Sequence, residues 1–228
     1  MIVGNGLIAG ILKPLSNELP SNHILFASGV SNSRETSIAA FEREEKLLKQ
    51  FLVADNKVIY FSTISIFNKL RSPYIEHKLR MEELIQESGT NFIIFRLGQL
   101  VGQSKNMNTL VNNFFNKLTS GQEIVIFKNI VRNFLDVEDL EKLVRFFINQ
   151  KHNKKTINLV SEINYQPIDL YNALTKITSH KCPLKFIESE ETSSKFARDL
   201  ANEAINSLNL TCNNSNYLES ILLKHYGK

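Results

Sequence analysis

The sequence predicts an α/β protein with a doubly wound parallel sheet, and three observations carry that prediction. Short apolar runs alternate with segments of helical pattern along the whole chain. The runs are near-continuously apolar rather than alternating, as strands buried on both faces must be. A pair of glycines stands between the first run and the first helical stretch, in "VGNGLIA" at 3–9, where a strand would hand over to a helix.

Taken in order, the predicted strands are "MIV" (1–3), "HILFAS" (23–28), "KVIYFST" (57–63), "NFIIFRL" (91–97), "EIVIF" (123–127) and "TINLV" (156–160). Their β-branched and aromatic residues suit a pleated, buried surface. Helices are predicted over 6–12, 35–52, 73–88, 107–119, 137–149, 167–178, 193–208 and 215–225. Pro14 limits the first to about two turns, because proline removes a donor and clashes with the preceding turn. Gly121 closes one helix, and Pro167 opens another. In the second predicted helix Ile38, Phe41, Leu48 and Phe51 form the core face. The division expected is a cofactor-binding core over 1–103, rejoined by about 128–160, with 104–127 and 161–228 forming a smaller lobe of the same compact unit.

Composition narrows the function classes. The chain has 228 residues, 43% hydrophobic and 22% charged, the balance of an ordinary globular protein. Its net charge of +4 comes from scattered lysines, so a mild field suits an anionic small molecule without indicating a nucleic-acid binder. Cys182 and Cys212 lie far apart with no C-x-x-C and no zinc spacing, which implies free thiols, no metal site and a reducing compartment. No run reaches membrane-spanning length and the apolar start lacks a basic leader, so a cytoplasmic location is expected.

Two clusters carry chemistry. Gly4, Gly6 and Ala9 make a G-x-G-x-x-A at a strand-to-helix junction. There, glycines admit a pyrophosphate and the helix offers unpaired N–H groups. Further along, "YFST" ends a strand and "SPYIEHK" follows at 72–78. Tyr74 and Lys78 are one turn apart on one helix face. A free phenol has a pKa near 10 and is a poor acid–base at neutral pH. A neighbouring ammonium would lower it, and Thr63 would hold a carbonyl or alcohol beside it. Pro73 as the first helical residue explains the helix start without any chemistry.

Six segments, in order, resemble the extended short-chain dehydrogenase/reductases, in particular the NAD-dependent epimerase/dehydratase group that acts on nucleotide sugars: "GNGLIA", "FASGVSNS" (26–33), "YFST" with Tyr74 and Lys78, "FRLGQLVG" (95–102), "RNFLDVEDL" (132–140) and "TINLVSEINYQPIDLYNAL" (156–174). The resemblance implies a Rossmann-like sheet, here truncated to fewer strands, with a small mixed C-terminal substrate lobe. It implies Tyr74 as acid/base, Lys78 on the nicotinamide ribose and Thr63 on the substrate oxygen. NAD or NADP would be bound by Gly4, Gly6, Leu7, Ile8, Ala27, Ser28, Gly29, Lys78 and Leu97. The nucleotide-sugar substrate would meet Ser65, Asn108 and Arg132. For Arg132 the plain alternative is an ion pair with Asp136 or Glu138, and for Asn108 a helix N-cap. Ser65 could take the role of Thr63 if the loop is offset by two residues. His77 would be a solvated side chain. A homodimer through the 34–52 and 73–88 helices is also implied.

The chain departs from the family in two places. Only about twenty residues separate Gly4 from the run at 23–28, where the family spends two more strands and the residue that reads the adenosine ribose. Either that run is the cofactor-side strand and the sheet lacks an edge, which is preferred, or it replaces the usual second strand. Ile64 and Ser65 follow Thr63 where dehydratases carry an acidic pair, so an epimerase or 4-keto reductase is expected rather than a 4,6-dehydratase. The competing class is a non-catalytic nucleotide- or partner-binding module on the same fold.

Overall fold

A computed structural model describes residues 1–104, 106–107, 109–150, 152–189 and 196–227. The described residues fall into two units, Met1–Leu97 with Glu138–Leu159, and Gly98–Val137 with Val160–Lys228. The division therefore comes right after Leu97 rather than at 103, and residues 128–137 go with the second unit.

The first unit holds a five-stranded sheet. Its strands are β1 (Ile2–Val3), β2 (His23–Phe26), β3 (Lys57–Thr63), β4 (Asn91–Leu97) and β8 (Lys155–Leu159), adjacent in that order. Every pairing is parallel. Alternation along the strands assigns the two faces. Ile24, Phe26, Val58, Tyr60, Phe92 and Ile94 pack with Leu48 of α2 (Ile38–Lys49) and Met81 and Ile85 of α3 (Pro73–Glu87). On the other face Phe61 stacks near Phe95, and Phe95 meets Phe147 of α5 (Val137–Asn149). Just beyond the first helix, α1 (Leu7–Ser16), Glu18 pairs with Arg145 of α5. Each fully buried aliphatic or aromatic side chain in these layers contributes about 1.5–3 kcal/mol.

Local chemistry sets the helix starts. Ser37 caps α2 by accepting from the Ala40 N–H, and Ser72 caps α3 by accepting from Ile75, with Pro73 at the first helical position. Two expectations need correction. The first helix runs through Pro14 to Ser16: the carbonyl that the proline ring crowds belongs to Gly10, and only the last turn is affected. Ile38 is 72% exposed because it is the first residue of α2, ahead of the turn that faces the core.

The order β1-β2-β3 settles the position of the 23–28 run. β2 lies between β1 and β3, so β1 is the edge strand. In the usual doubly wound order the first strand has neighbours on both sides. Here the sheet is truncated beyond β1, as preferred from the sequence.

The second unit has two small parallel pairs that the sequence did not fully reveal. β5 (Gln99–Val101) pairs with β7 (Phe134–Asp136), and β6 (Ile124–Phe127) with β9 (Leu184–Ile187). Four helices accompany them: α4 (Leu110–Thr119), α6 (Pro167–Thr178), α7 (Asp199–Ser207) and α8 (Tyr217–Tyr226).

Candidate active site

The first unit brings its polar residues together at the C-terminal end of the parallel sheet, where open α/β sheets bind ligands. Tyr60 and Ser62 share a face of β3, and Thr63 ends the strand. On α3, residues 74, 78 and 82 are spaced by four, so Tyr74, Lys78 and Glu82 form one stripe. All three are buried.

Thr63 Oγ1 accepts from the Ser65 N–H at 3.1 Å. Burial, and after it the Glu44 carboxylate, hold the Tyr74 phenol well above its ordinary value, with the nearby Thr63 hydroxyl acting weakly the other way. The spacing argument expected Lys78 to lower it. Lys78 Nζ lies 5.9 Å from the centroid of the Tyr74 ring, and its hydrogen bonds go elsewhere.

Those bonds run to Glu44 Oε1 and to the Tyr60 hydroxyl, both at 3.0 Å. Glu44 is fully buried. It accepts from Tyr60 at 2.5 Å and from the Val30 N–H at 2.5 Å, and its Oε2 lies 2.9 Å from His77 Nε2. Burial pushes the carboxyl up, but Lys78, His77, Tyr60 and Val30 together outweigh it and hold the group at about 2. Lys78 is pushed down by burial and held up by Glu44. His77 is not a solvated side chain: it is buried and stacks on Phe41 with centroids 4.5 Å apart. Two adjacent residues of α3, His77 and Lys78, thus converge on one carboxylate.

A second carboxylate follows on the same stripe. Glu82 accepts from Ser62 Oγ at 2.5 Å and from Arg96 through both Nε and Nη2. Leu97, next to Arg96, is buried and sits opposite Thr63 in the β3–β4 register.

The turn after β2 passes over this cluster. Arg43 donates to the Ser28 carbonyl at 2.9 Å and to its hydroxyl at 3.2 Å. A Cβ on Gly29 would fall 2.7 Å from Lys78 Nζ and 2.9 Å from Glu44 Oε1, so only glycine leaves room. Gly4 has φ +124°, and a Cβ there would fall 2.4 Å from the Ala27 carbonyl oxygen. Gly4 thus lets β1 turn against the Ala27–Ser28 backbone. Gly6 caps α1 with no side-chain hydrogen bond, and a Cβ there would meet nothing within 4 Å. The first N–H groups of α1, at Leu7 and Ile8, face a side free of any capping side chain, with no acidic residue in the first turn. That arrangement fits a pyrophosphate.

In the second unit, Arg132 is clamped by its backbone: its N–H donates to the Tyr165 carbonyl and its carbonyl accepts from the Tyr165 N–H. Asn133 fixes the same turn by donating to Ser161, Ile163 and Asn164. The Arg132 guanidinium is largely desolvated, which lowers its pKa. Its side chain donates to the Val131 carbonyl at 3.3 Å. Asp136, offered as an ion-pair partner, is taken by Lys224 and His225, each at 2.8 Å. Asn108 lies outside the described residues. Among the described residues no three His, Cys, Asp or Glu side chains converge as a metal site. None of their helices is long and apolar enough to cross a membrane.

Sequence reasoning missed Glu44 and Tyr60. The signal was there: Phe41, Glu44 and Leu48 fall at i, i+3 and i+7, so a glutamate sits inside an apolar stripe.

Residues 55–160 match the model of the NAD dependent epimerase/dehydratase family. No curated protein matches the sequence. Among solved structures, the fold is similar to a UDP-glucuronic acid 4-epimerase from Bacillus cereus, in complex with UDP-glucuronic acid and NAD. The TM-score is 0.70 and the identity 17%, over 93% of this chain and 75% of that one. A UDP-glucose 4-epimerase from Thermus thermophilus in complex with NAD gives 0.63 and 13%, over 86% and 75%. A dTDP-glucose 4,6-dehydratase from Bacillus anthracis in complex with NAD gives 0.64 and 12%, over 97% and 79%.

Proposed function

We propose that this chain, which carries the NAD dependent epimerase/dehydratase sequence over residues 55–160, is an NAD(P)-dependent epimerase or 4-keto reductase of a nucleotide-activated sugar. The observation that carries the reading is the Thr63–Tyr74–Lys78 set at the C-terminal end of the sheet, with Tyr74 and Lys78 buried and Thr63 half-buried. The complexes of similar structures with NAD, one of them also with UDP-glucuronic acid, support it.

In this reading a nicotinamide dinucleotide supplies or takes the hydride. Leu7 and Ile8 at the start of α1 would hold its diphosphate, with Gly4 and Gly6 leaving the approach open. Ala27, Ser28, Gly29 and Leu97 would line its nicotinamide half, and Lys78 its ribose. Thr63 positions the substrate oxygen, with Ser65 beside it. Tyr74 gives its proton to a carbonyl oxygen as that oxygen becomes a hydroxyl, or takes it back in the reverse direction. A phenol held above its ordinary value is protonated at neutral pH, the form needed for the donating direction. Arg132, a desolvated cation with no carboxylate partner among the described residues, suits the substrate diphosphate.

A second reading, a non-catalytic nucleotide-binding module, is favoured by one observation: β1 is an edge strand, so no further strand builds an adenine wall among the described residues. Thermal unfolding with NAD⁺, NADH, NADP⁺ and NADPH separates the two. A ligand at a hundred times its Kd stabilises by about 2.7 kcal/mol, worth roughly 5–10 °C for a chain of this size. A shift with one cofactor pair, together with loss of turnover by about 10²–10⁴-fold in Tyr74→Phe, is the expected result. No shift with any of the four at millimolar concentration would hand the lead to the binding module.

A further inference from the structure

In the first unit, the chemistry above gives Glu44 no task. It is a carboxylate at 0% exposure, held by four donors from three different segments. Val30 belongs to the turn after β2, Tyr60 to β3, and His77 and Lys78 to α3. A buried carboxylate is costly unless it is paired and hydrogen-bonded, and an apolar residue would fit the Phe41–Leu48 stripe at no such cost. Meanwhile Lys78 is a fully buried ammonium, and burial alone favours its neutral form.

Resting on the cofactor reading above, we infer that Glu44 is a positioning residue for Lys78. It keeps the buried ammonium charged and fixes its direction. It also ties that ammonium to the 28–30 turn, so that a dinucleotide meets a preset cation and turn as one piece. Three further observations support this. Gly29 packs against Lys78 Nζ and Glu44 Oε1 so closely that a Cβ there would fall 2.7 Å and 2.9 Å from them. Arg43, the residue before Glu44, pins Ser28 from the same helix. The other groups facing Lys78 do not supply the compensating charge at contact. Tyr60 and Tyr74 are neutral phenols, and Arg43 is a cation. His77 is bonded to Glu44 itself, and Glu82 is engaged by Arg96 and Ser62.

Competitive acetylation of the intact chain with acetic anhydride across pH, followed by peptide mass spectrometry, reads the titration midpoint of the Lys78 amine. Access changes the extent of labelling but not the midpoint. Glu44→Gln keeps the shape and removes the charge, and should lower the midpoint by at least one unit, a tenfold rise in neutral amine at fixed pH. Glu44→Asp should restore most of it. Tyr60→Phe, which removes the other contact without a charge, should leave it in place. Gly29→Ala, which leaves both charged groups but crowds them, should move it in the same direction as Glu44→Gln and serves if Glu44→Gln does not fold. An unchanged midpoint in Glu44→Gln, or in Gly29→Ala where Glu44→Gln does not fold, overturns the inference. An equal shift in Tyr60→Phe does so too.

NADH fluorescence then gives a second readout, with dissociation about tenfold weaker in Glu44→Gln than in the parent. If the parent chain binds no dinucleotide, the cofactor reading falls, while the labelling midpoint still decides the role of Glu44.

Discussion

Lys78 in the first unit and Arg132 in the second are both cations drawn out of water, and they are provided for differently. Lys78 has a carboxylate built in beside it, in contact and fully buried. Arg132 is also desolvated, yet donates to a backbone carbonyl and meets no carboxylate among the described residues. Burial lowers the pKa of both, but only Lys78 has an acid that pulls back. A cation with an internal counter-ion is a fixed part of the architecture. Under the proposed function, one with no counter-ion among the described residues keeps its field for an anion that arrives from outside, and a guanidinium fork matches a phosphate better than it matches a lone carbonyl.

The largest expected effect follows from breaking the internal pair. Glu44→Ala leaves Lys78 buried and uncompensated, and removing one member of a buried ion pair costs about 3–5 kcal/mol. Urea unfolding should show that as a fall in the midpoint with an unchanged slope. Replacing both partners, Glu44→Met with Lys78→Met, should recover most of the loss, since a well-packed apolar pair is often no worse than a buried ion pair. Recovery of stability without recovery of dinucleotide binding would sharpen the comparison. A double variant no more stable than Glu44→Ala would break it.

Next in size is the dependence on acid. Glu44 is held at about 2 in the folded protein against an ordinary 4.5. A depressed carboxyl contributes stability that is complete above its unfolded pKa and is lost as pH falls through the folded one. The loss from this group should therefore run from about pH 4.5 down to about pH 2, and total about 3 kcal/mol. The difference in stability between the parent and Glu44→Gln, measured by denaturant titration at several pH values, should shrink over that window. A difference that stays constant down to pH 2 would mean that Glu44 is not held ionised by the cluster.

Much of this was legible in the sequence, and the illegible parts have physical causes. β3 and β4 were read to the residue, because strands buried on both faces are written as unbroken apolar runs bounded by turn residues. The glycine junction and the Tyr74–Lys78 spacing were visible because close backbone approach and helix periodicity constrain residue type locally. β5 and β7 are three residues each and were missed; their pairing depends on contacts between distant segments, which leave no local period. Glu44 was hidden for the same reason. Its partners lie 14 to 34 residues away, and only its place inside an apolar stripe gave it away. The outer faces of α2 and α3 carry Glu45 paired with Lys49, and Arg80 near Glu45 and Glu83, and surface pairs of this kind are worth little to stability.

The smallest effect is expected at Arg132, and it should fall on binding rather than on folding. Arg132→Met removes a desolvated charge that no carboxylate repays among the described residues, so the unfolding midpoint should stay level or rise. A charge-assisted hydrogen bond to a phosphate contributes about 1.5–3 kcal/mol, which at 1.4 kcal/mol per factor of ten corresponds to roughly ten- to a hundredfold weaker affinity. Isothermal titration with UDP, which carries the diphosphate without the sugar, measures that loss directly. The signature sought is the combination: weaker diphosphate binding, unchanged stability, and an undisturbed response to the dinucleotide. If Arg132→Met is instead destabilised as Glu44→Ala is, Arg132 is a structural cation whose Val131 contact matters, and the two buried charges are provided for in the same way after all.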